Sequence, residues 1–278
     1  MGTSSRFSGF DVVHAHGDSH FLPRGIERRT VRTFHSAGVH LAWRAARCGR
    51  WRTACGTASV YPFEILSGLR AARRVVVAEG LKRFFPFADI EVVPNALDPL
   101  YLAAAPSVPR SRVPSILFVA GSMGRTKRGP LLLRVFEREV RPAIPEAELW
   151  MVCRERPAGE GVRAFGPLRP PELVPLYRAA WALCHPSAYE SFGLPYLEAM
   201  ASGTPVVATP TDGALEVLGD GRCGLVVPPR ELWRTLVRVL KDAPLRESLA
   251  SRGREGAKAF SLEGALDRYE EIYREVAA

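Results

Sequence analysis

From residue 113 onward, short apolar runs alternate with amphipathic stretches, a pattern that a parallel sheet wrapped by helices satisfies and few other architectures do. The strand candidates are Ser115–Ala120, Glu148–Cys153, Val162–Phe165, Trp181–His185, Pro205–Ala208 and Leu225–Val227. Helix candidates fill the gaps: Pro130–Val140, Pro171–Ala179, Leu194–Ala201, Gly213–Leu218 and Arg230–Lys241, then Leu245–Phe260 and Leu262–Val276. In the last of these, Leu266, Tyr269, Ile272 and Tyr273 recur at helical spacing and predict one apolar stripe.

Residues 1–112 carry the same signature less regularly. Asp11–His14, Val31–Phe34, Arg74–Ala78 and Ile90–Val93 read as strands, with a helix around Val39–Arg47. Pro94 and Asn95 break the pattern, and the Pro/Ala/Ser-rich stretch at about 98–114 reads as a linker. The expected organisation is one α/β domain over 1–112, short for a complete one, and a full α/β domain over 113–278. A chain of 278 residues, 47% of them hydrophobic, can bury two cores without staples.

The net charge of +9 is divided unevenly, with 16 Lys/Arg against 8 Asp/Glu in residues 1–112 and 22 against 21 in the rest. Any positive field therefore belongs to the first part. Its densest run holds Arg24, Arg28, Arg29, Arg32, Arg44, Arg47, Arg50 and Arg52, with Trp43 and Trp51 interleaved. That run reads as a solvated face, or as a contact to anionic lipid or acidic glycan. A nucleic-acid partner is not expected, because no recognised module accompanies the charge.

Cys48, Cys55, Cys153, Cys184 and Cys223 form no C-x-x-C pair and read as buried thiols of a reducing compartment. No apolar signal segment opens the chain and no run approaches 18 apolar residues. A cytoplasmic protein is the expectation, with peripheral contact at the inner face of the membrane through the basic region.

The most informative stretch runs from His185 to Pro205. A buried strand ends at His185, a loop carries Glu190, and Pro195 marks a first helical turn, the one place where a residue lacking N–H is tolerated. The N–H groups of Phe192, Gly193 and Leu194 then point out of a helix N-terminus, where donors and dipole together bind phosphate. Glu190 and Glu198 flank that position, one on each side. A nucleotide-diphosphate sugar has this layout, with vicinal hydroxyls on both sides of a diphosphate for carboxylates to accept from.

Other signatures are absent. Gly121–Lys127 lacks the G-K-[ST] of a P-loop, no G-x-G-x-x-G leads from a strand into a helix as a dinucleotide site requires, and no G-x-S-x-G occurs. No D-x-D is present, so charge on a leaving diphosphate falls to Lys127, nearby Arg and the helix N-terminus, with no metal or other cofactor. Five of the six histidines lie in the first 40 residues, yet no carboxylate–His or Cys–His spacing suits zinc. His14 and His16 are assigned to opposite faces of their strand, one lining a cleft and the other structural, and His185 is assigned a structural role.

The framework S-x-x-E-S-F-G-L-P-x-L-E-A-M-A-S-G-T-P-V-V-A around Glu190 and Glu198 resembles the E-x7-E signature of the retaining glycosyltransferase family 4. Further segments match in the family's order. Asp11–Gly17 (D-V-V-H-A-H-G), Thr33–His35 (T-F-H) and Val93–Asp98 (V-P-N-A-L-D) come first, followed by Phe118–Gly121 and Gly221–Val226. The resemblance covers about residues 10–275. It implies a GT-B type α/β fold of two Rossmann-like domains with parallel sheets, the N-terminal one incomplete. Members ordinarily have a strand and a Gly-rich loop some tens of residues before the D-V-V-H segment.

The resemblance also assigns roles. Activity would be retaining transfer of a sugar from a nucleotide-diphosphate sugar to a hydroxyl on a glycan, a lipid-linked carrier or a small molecule, as in polysaccharide biosynthesis. Glu198 would hold ribose and Glu190 the sugar, with the Phe192–Leu194 backbone, Gly121 and Lys127 around the diphosphate. The family has an Arg where Ser122 stands, and Arg125 is the candidate replacement. His16 would contact the transferred sugar. The rival readings are a nucleotide-sugar-binding remnant that cannot transfer, and a GT-B nucleotide-sugar epimerase.

Overall fold

A computed structural model of the chain describes residues 7, 9–17, 25–47, 49, 51–103 and 108–278, with the side chains of 44 and 47 excepted. His20, Arg24, Cys48 and Arg50 lie outside the described residues. The chain forms an α/β fold of two parallel sheets. It divides into one unit of Met1–Asn95 with Glu263–Ala278 and another of Ala96–Leu262. The division thus falls ahead of the expected linker, and the last helix belongs with the first unit.

In the first unit β1 (Val13–His16), β2 (Thr30–Phe34), β3 (Arg73–Val76) and β4 (Ile90–Val92) pair in chain order, all parallel. Helices α1 (Gly38–Arg47) and α2 (Trp51–Arg70) lie between β2 and β3. The second of these was not expected from sequence: Gly56, Pro62 and Gly68 interrupt it. Tertiary contacts hold it. Its buried Glu64 accepts from the Gly38 N–H at 2.8 Å, satisfying an otherwise orphaned donor at the start of α1. Its Gly68 lies so close under Phe87 that a Cβ would come within 2.5 Å of the ring.

The closing helix, Leu262–Ala277, buries Ile272 against Val31, Val75 and Val93, with Ala265, Tyr269, Tyr273 and Val276 packed alongside. Its apolar stripe therefore passes through Ala265 and Val276, while Leu266 is left on the solvent side, contrary to expectation. Two surface expectations also change. Arg32 is buried inside β2, donating to the Gly17 carbonyl at 2.6 Å, so it adds nothing to an exposed basic face. Cys153 and Cys184 are buried, but Cys55 is exposed on α2.

The second unit opens with α3 (Pro99–Leu102), capped by the Asp98 side chain, which accepts from the Leu100 N–H. Part of the expected linker is thus structured, and Leu97 and Tyr101 are buried. Then follow β5 (Ser115–Val119), α4 (Gly129–Val135), a π turn (Phe136–Val140), α5 (Arg141–Ala143), β6 (Glu148–Val152), β7 (Val162–Ala164) and α6 (Pro170–Ala179). After these come β8 (Ala182–His185), α7 (Leu194–Ala201), β9 (Val206–Ala208), α8 (Asp212–Val217), β10 (Leu225–Val226), α9 (Leu232–Lys241) and α10 (Ala243–Ala257).

The six strands are parallel in the order β10-β9-β8-β5-β6-β7. Both faces are covered, which is why β5 and β8 are apolar runs without alternation. The core gathers Ile116, Phe118, Leu149, Met151 and Cys184 from the sheet, with Leu232, Leu236, Val239 and Leu240 from α9. Strand order reverses between β5 and β8, and ligands of open α/β sheets bind outside the carboxyl ends of the strands at such a point.

Candidate functional site

The loops leaving β5 and β8 carry nearly all the residues singled out in the second unit. The first, Gly121–Arg128, is folded tightly: Arg128 N–H donates to the Gly124 carbonyl at 2.8 Å and Gly129 N–H to that of Met123 at 2.9 Å. Arg128 is left-handed at φ +53°. The second loop, Pro186–Gly193, is stitched to the first by Ala188 N–H donating to the Thr126 carbonyl at 2.8 Å. These bonds bring Lys127 to Glu190, and the two form an ion pair through Nζ and Oε2. The Glu190 side chain is only 13% exposed, so the pair is largely shielded from water and the attraction is correspondingly strong.

Gly193 adopts φ +100° and is the N-cap of α7, with Pro195 in the first turn as expected. The N–H groups of Phe192, Gly193 and Leu194 meet no acceptor among the described residues. Phe192 anchors this corner, buried with its ring edge-on to Phe260 at 5.7 Å, whereas the Leu194 side chain is exposed. Behind the corner lies Gly213 of α8. Its N–H donates to the Glu190 carbonyl at 2.9 Å, and a Cβ there would meet Phe192 backbone atoms at 2.4–2.7 Å. The glycine is what lets α8 support the loop.

Sequence reasoning missed a carboxylate here. Glu155, three residues beyond β6, accepts from Ser122 Oγ at 2.6 Å and from the Met123 N–H at 2.9 Å. The Ser122 hydroxyl and then the Met123 amide hold its carboxyl below the usual range. Its place after a strand adjoining the switch point was a usable signal. Arg125 is exposed and makes no polar contact among the described residues, while Gly121 is open to solvent.

Glu198 faces α3 and α6, where its Oε2 accepts from Tyr177 at 2.7 Å and the Tyr101 hydroxyl also donates to it. Burial raises its carboxyl pKa against the pull of these two hydroxyls. The tyrosines were not anticipated, since nothing local in the sequence ties residues 101, 177 and 198 together. His185 is wholly buried: its Nε2 lies 2.9 Å from the Val119 carbonyl and its Nδ1 2.9 Å from Ser187 Oγ. Because a carbonyl can only accept, Nε2 carries a proton and donates to Val119.

Burial, and then the Lys127 charge, lower the His185 pKa to about 3. The unfolded ring, near 6.5, takes up a proton that the folded one refuses, so stability falls as pH drops below about 6.5. The contribution amounts to about 2 kcal/mol at pH 5. We expect the urea midpoint to fall between pH 7 and pH 5, by less in His185→Asn; equal losses in both proteins would exclude this origin.

In the first unit, His14 and His16 share one face of β1, with ring centroids 3.8 Å apart. This corrects the opposite-face assignment: residues two apart in a strand point the same way. His14 is held between the Tyr273 hydroxyl at 2.6 Å and Thr33 Oγ1 at 2.8 Å, and burial followed by neighbouring positive charge lowers its pKa to about 3. His16, at the strand end, is exposed and lies 3.0 Å from His35 through Nδ1 and Nε2. No group of His, Cys, Asp and Glu among the described residues is arranged to hold a metal ion.

Residues 105–256 match the family model described as glycosyl transferases group 1, more than half of the chain. The chain belongs to this family. Among curated members it is 32% identical over 186 residues to the D-inositol 3-phosphate glycosyltransferase of Corynebacterium urealyticum, covering 58% of this chain and 44% of that protein. It is 38% identical over 130 residues to the O-antigen chain mannosyltransferase B of Escherichia coli, covering 45% and 33%. The chain thus matches less than half the length of either. Sucrose-phosphate synthase from Thermosynechococcus elongatus superposes with a TM-score of 0.76 at 24% identity, over 96% of this chain and 74% of that one. The fold is that of GT-B glycosyltransferases. No described helix is long and apolar enough to cross a membrane.

Proposed function

We propose that the protein is a retaining glycosyltransferase of the family 4 type, moving a sugar from a nucleotide-diphosphate sugar to an acceptor hydroxyl without a metal ion. The observation that carries this reading is the meeting of Lys127 and Glu190 beside the open N-terminus of α7, at the point where strand order reverses. Lys127 and the Phe192–Leu194 amides supply positive charge for the diphosphate, and Arg125 has its donors available to serve in place of the Arg that Ser122 replaces. Glu190, once Lys127 engages phosphate, accepts from sugar hydroxyls. Glu198 accepts from ribose: its two oxygens take about four bonds between them and the tyrosines use two. His16 serves the transferred sugar.

In this mechanism the bond from the anomeric carbon to the diphosphate breaks as the acceptor oxygen approaches on the same face. The acceptor proton passes to the leaving phosphate oxygen, and the nucleoside diphosphate departs with the charge that Lys127 meets. A panel of nucleotide-diphosphate sugars tests the reading by thermal stabilisation and by slow hydrolysis, with Glu190→Ala and Glu198→Ala as comparisons. Stabilisation and turnover, both weakened in the variants, are expected. Stabilisation without turnover on any acceptor would favour the binding remnant, and no stabilisation by any of the panel would reject both.

The acceptor is proposed to be a glycan or a lipid-linked carrier at an anionic membrane surface. Support comes from Trp43 and Trp51, 51% and 68% exposed on α1 and α2, with Arg28 and Arg52 exposed in the same unit. Co-sedimentation with phosphatidylglycerol vesicles at low salt should be lost in Trp43→Ser/Trp51→Ser, and absence of binding by the parent chain would reject a membrane contact.

A further inference from the structure

At the opposite end of the second sheet from Lys127 and Glu190, a cavity of about 320 Å³ opens between the starts of β8 and β9 and one face of α10. Its walls carry three guanidinium groups, from Arg110, Arg246 and Arg254, beside Trp181. The two ends are separated by at least the length of β8, roughly 13 Å for four residues. The cavity is therefore distinct from the loops described above.

None of the three arginines has a carboxylate partner within ion-pair distance among the described residues. Arg110 is fixed by neutral acceptors, donating to the Ala180 and Gly203 carbonyls and to Thr204 Oγ1. Arg246 donates to the Val239 and Leu240 carbonyls at 2.9 and 2.7 Å, closing the end of α9, and lies 4.2 Å over the Trp181 ring. Arg254 makes no polar contact among the described residues. It lies against Gly203, where φ is +72° and a Cβ would stand 2.1 Å from its Nη1, so the glycine is what gives this guanidinium its room. Glu247, the one acid on the rim, pairs with none of them.

Three like charges gathered in a partly enclosed space repel one another; the carboxylates of Asp242 and Glu247 act on Arg246 from a distance without pairing with it. Burial, then the charges of Arg254 and Arg246, hold the Arg110 guanidinium below the ordinary arginine range. Arg254 keeps all five of its donors, and the Nε of Arg110 is also uncommitted. Forked donors of this kind match the oxygens of a phosphoryl group.

We propose that this cavity is a second anion site, taking a multiply charged phosphoryl group, with Arg254 and Arg110 as its donors and Arg246 stacked on Trp181 as its fixed wall. The site does not rest on the glycosyltransferase reading. The phosphoryl group is supplied either by a free anion or by a phospholipid headgroup. Inorganic pyrophosphate titrated into the full chain separates this site from the one at α7. Pyrophosphate should still bind Lys127→Ala by calorimetry, and adding Arg254→Gln to that variant should weaken binding at least tenfold, with Arg254→Lys recovering part. Arg254 is exposed, so adding either Arg254 substitution should leave the thermal midpoint of Lys127→Ala unchanged without ligand. Co-sedimentation with vesicles containing phosphatidylinositol phosphate, lost in Arg254→Gln and competed by pyrophosphate, identifies a lipid source; pyrophosphate binding without co-sedimentation identifies a free anion. Binding abolished by Lys127→Ala alone, or unchanged by Arg254→Gln, would overturn the proposal.

Discussion

Replacing Lys127 with alanine is expected to reduce turnover of a nucleotide-diphosphate sugar by about a hundred- to a thousandfold, the usual consequence of removing one preorganised charge from a transition state. The expectation is large because the loop has little else to offer. On the proposed reading Ser122 stands where a second cation would be; it is tied to the acidic Glu155, and Arg125 reaches no partner among the described residues. Glu190→Gln should also lower turnover, but with a weaker effect on stabilisation by the nucleoside diphosphate alone, since that product lacks the sugar. Initial-rate hydrolysis and ligand-induced thermal shifts separate the two variants. If Lys127→Ala lost turnover only in proportion to folded protein, the ion pair would be structural.

The second large effect concerns Gly213. Gly213→Ala should cost about 3 kcal/mol, the upper end of the range for overpacking, because the three atoms nearest the added methyl are all backbone atoms of Phe192, which cannot rotate away. The thermal midpoint should fall by roughly 6–12 °C for a unit of this size. Relief requires moving the 190–193 corner, which also lengthens the bond from Gly213 N–H to the Glu190 carbonyl, so affinity for a diphosphate should drop as well. Gly121→Ala is the matched comparison, since a Cβ at Gly121 meets nothing within 4 Å. Equal midpoints for the two variants would show that the corner yields cheaply.

The candidate site was legible to different depths. The strand–loop–helix reading of residues 182–201 needed only the apolar run into His185, the glycine and the proline, all local signals, and those elements stand where they were expected. Glu155 and Tyr177 were out of reach for the opposite reason. Each is fixed by a residue more than 20 positions away, and no periodicity reports such a bond. The helix Trp51–Arg70 was hidden by its own glycines and proline, whose cost is offset by packing on α1 and under Phe87.

Charge was the least legible quantity. Counting arginines placed the positive field in residues 1–112, yet Arg32 is buried within β2. Arg110 with Arg246 and Arg254, one from before residue 113 and two from after it, meet in a single cavity of the second unit. Net charge sums over a surface, whereas a site depends on which charges share a cavity.

By itself the sequence determined the α/β class, the two-part organisation and the helix entry that carries Glu190, because each follows from periodicity, length and the backbone chemistry of glycine and proline. Only the tertiary structure decided that Lys127 meets Glu190, that the closing helix completes the first unit, and that Arg110 shares a cavity with Arg246 and Arg254 of α10. Those outcomes depend on which strands become neighbours, and strand order is set by the packing of helices on both faces of a sheet and by no local preference of the residues involved.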